Sequence, residues 1–312
     1  MKKQIIHVQP VFKERIWGGK LIKTRYNGVT DIEPVGELWS VAAFKDSGDN
    51  VLTELNMTLS EAYAAYPELF NVKSEHFPIR CTLMDPLSDL SVQVHPDEAY
   101  ALKHMNSYGK HEAWLILETG ANHELQFGHK AKTREELSEL IDERRWKDLL
   151  RYETVHAGDF IDVPAGTIHA IAKNMITFEV ARHSDITYRL YDYDRLDAKT
   201  GKPRDLHLEA AKAVITVPHT AAGLIHPKPV MKEGCLVTTY IDEPGKYTLL
   251  KVENDSQGSF DYAGFYFMTF VDGQGFINDV EVKPGDTLLI PAGFGKIALK
   301  GKMTALISSY RD

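Results

Sequence analysis

Most of the chain consists of short runs in which apolar and polar residues alternate, rich in Val, Ile, Phe and Tyr and cut at close intervals by Gly, Pro, Asp and Asn. A period of two fits strands with one buried face, and many such strands between turn residues predict a mainly β protein built as a sandwich or barrel. Three stretches break the alternation. Thr58-Leu59-Ser60-Glu61 has capping-box spacing, in which the threonine hydroxyl and the glutamate satisfy the first free N–H groups of a helix. A helix is therefore expected over 58–70, with Ala62, Tyr63, Tyr66 and Leu69. Behind Thr133 and Glu136, the residues Leu137, Leu140, Ile141, Leu149 and Leu150 form an apolar stripe at helical spacing, which predicts a second helix over 133–150. The alanine-rich 206–215 reads as a third, ended by Pro218, whose missing N–H stops a helix.

One internal repeat organises the strands. Gly158-Asp159-Phe160-Ile161-Asp162-Val163-Pro164-Ala165-Gly166 recurs as Gly285-Asp286-Thr287-Leu288-Leu289-Ile290-Pro291-Ala292-Gly293. Each copy reads as a tight turn, a short strand and a second turn, so one hairpin module is used twice. The pattern G-x5-P-x-G-x2-H resembles the second motif of cupins, small double-stranded β-helix (jelly-roll) barrels; His169 completes it in the first copy and Lys296 stands there in the second. The expected architecture is two cupin-like barrels with helical insertions. Residues 1–225 form the catalytic barrel, and 226–312 a C-terminal barrel without the metal site, joined across His226-Pro227-Lys228-Pro229.

The chemistry-bearing residues sit on predicted strands. Ser91-Val92-Gln93-Val94-His95-Pro96 alternates, so Ser91, Gln93 and His95 share a face while Val92 and Val94 enter a core. In Gly109-Lys110-His111-Glu112, Lys110 and Glu112 fall together and His111 turns away. With His169, two imidazoles and a carboxylate are available for a first-row divalent ion, zinc foremost, and Gln93 offers a fourth donor, an oxygen. The bland alternative is a polar Gln-x-His pair and a Lys110–Glu112 ion pair. Five further histidines, His104, His123, His129, His156 and His183, have no partner at ligand spacing and are assigned to solvent or hydrogen bonding. Arg189 and Arg195 lie six residues apart, hence on one face of a strand, and two guanidiniums on one cleft suit an oxyanion and a phosphate. An ion-pair ladder with Asp192 and Asp194 explains them equally well.

Composition narrows the function classes. The 312 residues carry 36 Lys+Arg against 44 Asp+Glu, a net charge of −8 that disfavours a nucleic-acid partner. Two cysteines, Cys81 and Cys235, fit no CxxC motif and suit a reducing cytoplasm. The start, Met1-Lys2-Lys3-Gln4-Ile5-Ile6-His7, lacks the apolar run of a secretion signal, and no run approaches the roughly 18 residues of a membrane span. No membrane or protein partner is indicated.

Taken in order, Trp17-Gly18-Gly19, Gly36-Glu37-Leu38-Trp39, Val92-Gln93-Val94-His95-Pro96-Asp97-Glu98, Gly109-Lys110-x-Glu112, Val163-Pro164-Ala165-Gly166-Thr167-Ile168-His169-Ala170 and Tyr188-Arg189-Leu190-Tyr191-Asp192-Tyr193-Asp194-Arg195 resemble the type I mannose-6-phosphate isomerases, in their shorter bacterial form. The resemblance spans nearly the whole chain. It implies a zinc-dependent aldose-ketose isomerase that interconverts mannose 6-phosphate and fructose 6-phosphate through an enediolate, with one zinc held by Gln93, His95, Glu112 and His169. It further implies a catalytic Arg189, with Ser91, Lys110 and Arg195 near the phosphate or hydroxyls of the sugar. Lys110 and a metal-activated water are both candidates for the base. Where many bacterial members read Glu-Thr-Gln-Gln-Asn-Ser-Asp, this chain reads Glu179-Val180-Ala181-Arg182-His183-Ser184-Asp185; Thr82 and His111 also depart from the pattern. Those changes keep two rivals in play, a non-catalytic metal-binding cupin for a sugar phosphate and an isomerase of a related sugar phosphate.

Overall fold

The computed structural model describes residues 4–121, 123–220 and 223–312; Met1 to Lys3, part of the stretch read for a secretion signal, lie outside them. The protein is mainly β, its sheets antiparallel, and it divides into two units that are not successive pieces of chain. One is Met84–Ile225 with the short Glu14–Gly19; the other gathers Lys20–Leu83 and His226–Asp312 with the N-terminal segment up to Lys13. The second of these resumes at His226. The expected 1–225 domain, however, differs from this division, because residues 20–83 pack with the C-terminal barrel. The reason lies in pairing across the length of the chain. Strand Ile6–Gln9 adds antiparallel to strand Thr287–Ile290, with Ile6 opposite Leu289. Phe70 and Phe77 meet Phe265 and Phe267 edge to face, at centroid distances of 5.3 and 6.1 Å.

In the Met84–Ile225 unit, strand Val92–Val94 lies between His169–Ala170 and Tyr188–Tyr191, followed by Glu124–His129 and Leu150–Thr154. A second layer places Glu112–Ile116 between Phe160–Val163 and Thr177–Arg182. Trp114, Ile161 and Val163 of one layer pack on Leu125, Phe127 and Ile171 of the other, which makes the barrel interior. The other face of the first layer presents Val92, Val94, Ala170 and Leu190, covered by Leu137, Leu140 and Ile141 of helix Arg134–Asp142 and by Ala211 of helix Leu208–Val214. The helical insertions are therefore the outer wall that holds the site-bearing strand in place.

Helix Leu59–Ala65 starts on the expected capping box, with Thr58 and Glu61 bonded reciprocally, and a 3-10 turn over Pro67–Leu69 follows. The 133–150 helix is two pieces, Arg134–Asp142 and Trp146–Leu149, broken where Arg144 adopts a φ of 55°. A further helix, Glu98–Met105, capped by Asp97, escaped the sequence reading because its apolar periodicity is weak. Among the described residues no helix is long and apolar enough to cross a membrane.

The repeat is structural. In both copies an aspartate closes the turn by accepting from the backbone three residues before it, Asp159 from His156 at 2.8 Å and Asp286 from Lys283 at 2.9 Å. The Lys296 correspondence needs correction. His169 pairs with Gln93, whereas the matching ladder position of the C-terminal barrel is Ile297, paired with Phe260; one more residue separates it from its proline, and Lys296 turns out to Glu233 at 2.6 Å.

Candidate active site

His169 emerges from the Pro-Ala-Gly turn, where Gly166 has a φ of 84° and a Cβ would lie 2.4 Å from Thr216 Oγ1. The turn sets His169 directly opposite Gln93, and Gln93 is in turn opposite Arg189 on the next strand. Residues facing one another across a ladder share a side, so the strand order gathers these three groups on the barrel interior. Glu112 arrives from the second layer, opposite Val163 and Ala181.

One ligand atom each from His95, Glu112 and His169 lies within 4.8 Å of the others, and all three side chains are buried. His169 Nε2 is 3.3 Å and His95 Nε2 3.5 Å from the carboxylate. Each ring is fixed by its far nitrogen, Nδ1 of His95 against the Ile186 carbonyl at 2.7 Å and Nδ1 of His169 against the Thr167 carbonyl at 2.9 Å. Those bonds place the proton on Nδ1 and turn both Nε2 lone pairs inward. Burial lowers the pKa of both imidazoles, that of His169 to about 3, which keeps them neutral. Burial would raise Glu112, but the Lys110 ammonium beside it holds its carboxyl well below the usual range. Neither Glu112 oxygen receives a hydrogen bond, although Lys110 Nζ stands 2.5 Å away. Lys110 offsets the charge of the carboxylate, yet the second Glu112 oxygen and two imidazole lone pairs still face one another within 4.8 Å in a buried place, and this donor set suits a divalent ion. The Gln93 amide lies 3.4 Å from His169 Nε2, and a half-turn of that amide presents its oxygen to the same point.

Lys110 Nζ is also 3.3 Å from His95 Nε2 and 3.5 Å from Glu179, a buried acid that the sequence reading left without a role. His111 turns away to Asp162 at 2.7 Å. Of the five histidines set aside, His129 is buried rather than exposed to solvent, with Nε2 against the Thr216 carbonyl at 2.8 Å.

The two arginines do not share a face by strand alternation, because the strand ends at Tyr191 and both Tyr193 and Asp194 have positive φ. Arg189 donates from Nε to Ser91 Oγ at 3.2 Å and from Nη1 to the Asp205 carbonyl at 2.9 Å. Burial, then the neighbouring Arg204, lowers its pKa. Arg195 donates to Ser88 at 3.1 Å, to the Asp89 and Asp192 carbonyls at 2.5 and 3.2 Å, and to the Asp192 carboxylate. Arg204 grips the same carboxylate twice, at 2.6 and 2.8 Å. The ladder reading is thus half right: Asp192 pairs with Arg195 and Arg204, whereas exposed Asp194 meets Arg144 at 3.9 Å. Arg189, Arg195 and Arg204 thus lie close together, their charge partly offset by Asp192 and Asp205.

Residues 5–114 match the family model for the catalytic domain of type I phosphomannose isomerase. A mannose-6-phosphate isomerase of Bacillus subtilis, ManA, is 36% identical over 99% of this chain and 99% of its own length. A crystal structure of mannose 6-phosphate isomerase from the same organism superposes with a TM-score of 0.92 at 32% identity, covering 98% of this chain and 99% of the other. A zinc-bound mannose 6-phosphate isomerase superposes with a TM-score of 0.77 at 14% identity, over 99% and 100% of the two chains, a likeness of fold.

Proposed function

The chain belongs to the type I phosphomannose isomerase family, and on that premise we propose that its buried His95, Glu112 and His169, with Gln93, hold one zinc ion for the interconversion of mannose 6-phosphate and fructose 6-phosphate. The enzyme is a mannose-6-phosphate isomerase with a cupin fold. The observation that carries the metal reading is the buried convergence of Glu112 with two imidazoles of fixed tautomer, one ligand atom from each lying within 4.8 Å of the others. When bound there, zinc supplies Lewis acidity to the sugar oxygens at C1 and C2, worth several kcal/mol.

The remaining roles fall to the chain's own groups. Moving a proton between C2 and C1 builds negative charge on oxygen in an enediolate. Arg189, partly buried and oriented by Ser91 and the Asp205 carbonyl, meets that charge with no reorganisation during the reaction. Lys110 carries the proton, its Nζ standing beside His95 and Glu112. Ser91 and Arg195 bind the phosphate. Four hydrogen bonds hold the Arg195 guanidinium rigid, and a guanidinium so fixed is suited to an oxyanion. Two free, buried cysteines accord with a cytoplasmic setting.

The test is turnover of mannose 6-phosphate by purified protein as isolated, after chelation and after zinc is restored, with bound metal counted at each stage. Activity lost and regained in step with one zinc per chain is expected. Full activity in metal-free protein would overturn the metal assignment, and inactivity with zinc bound would point to another sugar phosphate.

A further inference from the structure

The repeated hairpin makes the two barrels comparable position by position. In the Met84–Ile225 unit Gln93 faces His169 and Glu112 faces Val163. In the C-terminal barrel the same two ladder positions are Phe260 facing Ile297 and Tyr266 facing Ile290. Two residues beyond Phe260, as His95 lies two beyond Gln93, stands Tyr262. Where one barrel gathers metal donors, the other therefore gathers rings, with Tyr266 centred 5.6 Å from Phe260 and 5.9 Å from Tyr262. A cavity of about 550 Å3 opens at this place, lined by Phe260, Tyr262, Val237, Thr239 and Leu250 and rimmed by charged side chains. Tyr266 does not itself line the cavity: it is 1% exposed and backs the rings of Phe260 and Tyr262.

We propose that this cavity is a second small-molecule site, one that takes an uncharged, polyhydroxylated ring the size of a monosaccharide. The volume lies within the range of roughly 300–1,000 Å3 usual for small-molecule sites. The rim carries both signs, Lys232 and Lys296 with Glu233, Asp242 and Asp261, and so favours no ligand of strong net charge. Glu233 is engaged by Lys296 and Ser259, each at 2.6 Å, and Asp242 accepts from Tyr262 at 3.0 Å and Thr248 at 3.1 Å. Hydroxyl groups, which both donate and accept, suit such a mixed rim. The faces of Phe260 and Tyr262 receive the apolar C–H face of a sugar ring. None of this depends on the isomerase reading.

The probe is methyl α-D-mannopyranoside, which has neither a phosphate nor a free anomeric carbon and so is no isomerase substrate. Saturation-transfer NMR and calorimetry on the full-length, zinc-loaded protein should detect binding in the millimolar range, about −4 kcal/mol at 1 mM. Thr239→Trp, which fills the cavity from its exposed rim, should weaken binding at least about tenfold, and Tyr262→Leu, which removes one aromatic wall, about threefold to tenfold. Both variants should turn over mannose 6-phosphate as the parent does, which shows that they fold. No saturation transfer at about 50 mM probe, equal binding in the parent and both variants, or displacement of the probe by mannose 6-phosphate would each overturn the proposal.

Discussion

Lys110 is the residue whose two readings separate most cleanly. As a structural partner it neutralises Glu112 from 2.5 Å; as a catalytic group it moves the proton of the isomerisation. Lys110→Met keeps the length of the side chain and removes the charge. If Lys110 is catalytic, kcat should fall by about 100-fold or more while one zinc per chain is retained, since a cation next to the site opposes metal binding rather than helping it. Loss of zinc together with turnover would make Lys110 a structural partner of Glu112. The pairing of Gln93 with His95 and of Lys110 with Glu112 was open to a sequence reading because alternation, carried just past the strand ends, decides which residues share a face. Arg195 was less so. The rule stopped at Tyr191, and the left-handed Tyr193 and Asp194 re-aimed the chain toward Asp89 and Asp192. Glu179 and Arg204 carried no spacing signal, because their partners, Lys110 and Asp192, meet them only in the folded barrel.

At the scale of elements, the stretch after helix Leu208–Val214 returns to strand Glu124–His129 and packs histidine on histidine. The ring of His219 lies 5.9 Å from that of His129, and a Cβ on Gly128 would strike it at 2.3 Å, so the glycine is what lets the ring approach. Burial, helped by His129 and Arg151, lowers the pKa of His219 to about 4, and burial lowers that of His129. The unfolded chain takes up protons on both near pH 6.5 and the folded one only at lower pH, so the unfolded state binds more protons between those limits. Stability from this contact is therefore complete above about pH 6.5 and is lost as pH falls toward 4. Melting temperatures of the zinc-loaded protein from pH 7.5 to 4.5 should decline less steeply in His219→Gln than in the parent; parallel curves would mean that His219 contributes nothing to the acid sensitivity. Sequence periodicity announced the helices that cover the strand, and their caps, but not this closure. A histidine beside a glycine has no pattern until the chain returns to it.

Over the whole molecule, the fold class and the repeated barrel were readable because both are written locally, in alternation and in the Gly-Asp-x4-Pro-Ala-Gly hairpin. The division of the chain was not, because Ile6–Gln9 joins a strand formed by residues 287–290 and the phenylalanines at 70 and 77 complete a core begun near 265. Those contacts make a sharp prediction about the C-terminal segment. Cut at 225, residues 226–312 would leave Thr287–Ile290 without its N-terminal neighbour and expose the rings of Phe265 and Phe267, both fully buried in the intact chain. Uncovering two phenylalanines sacrifices roughly 3–6 kcal/mol of burial, comparable with the whole stability of a small domain, and an unpaired strand edge invites association. Expressed alone, the 226–312 fragment should give a poorly dispersed amide spectrum and no cooperative melting, whereas the intact chain melts cooperatively. A folded, cooperative fragment would show that the C-terminal strands close their own core and that the N-terminal strand is only an addition to it.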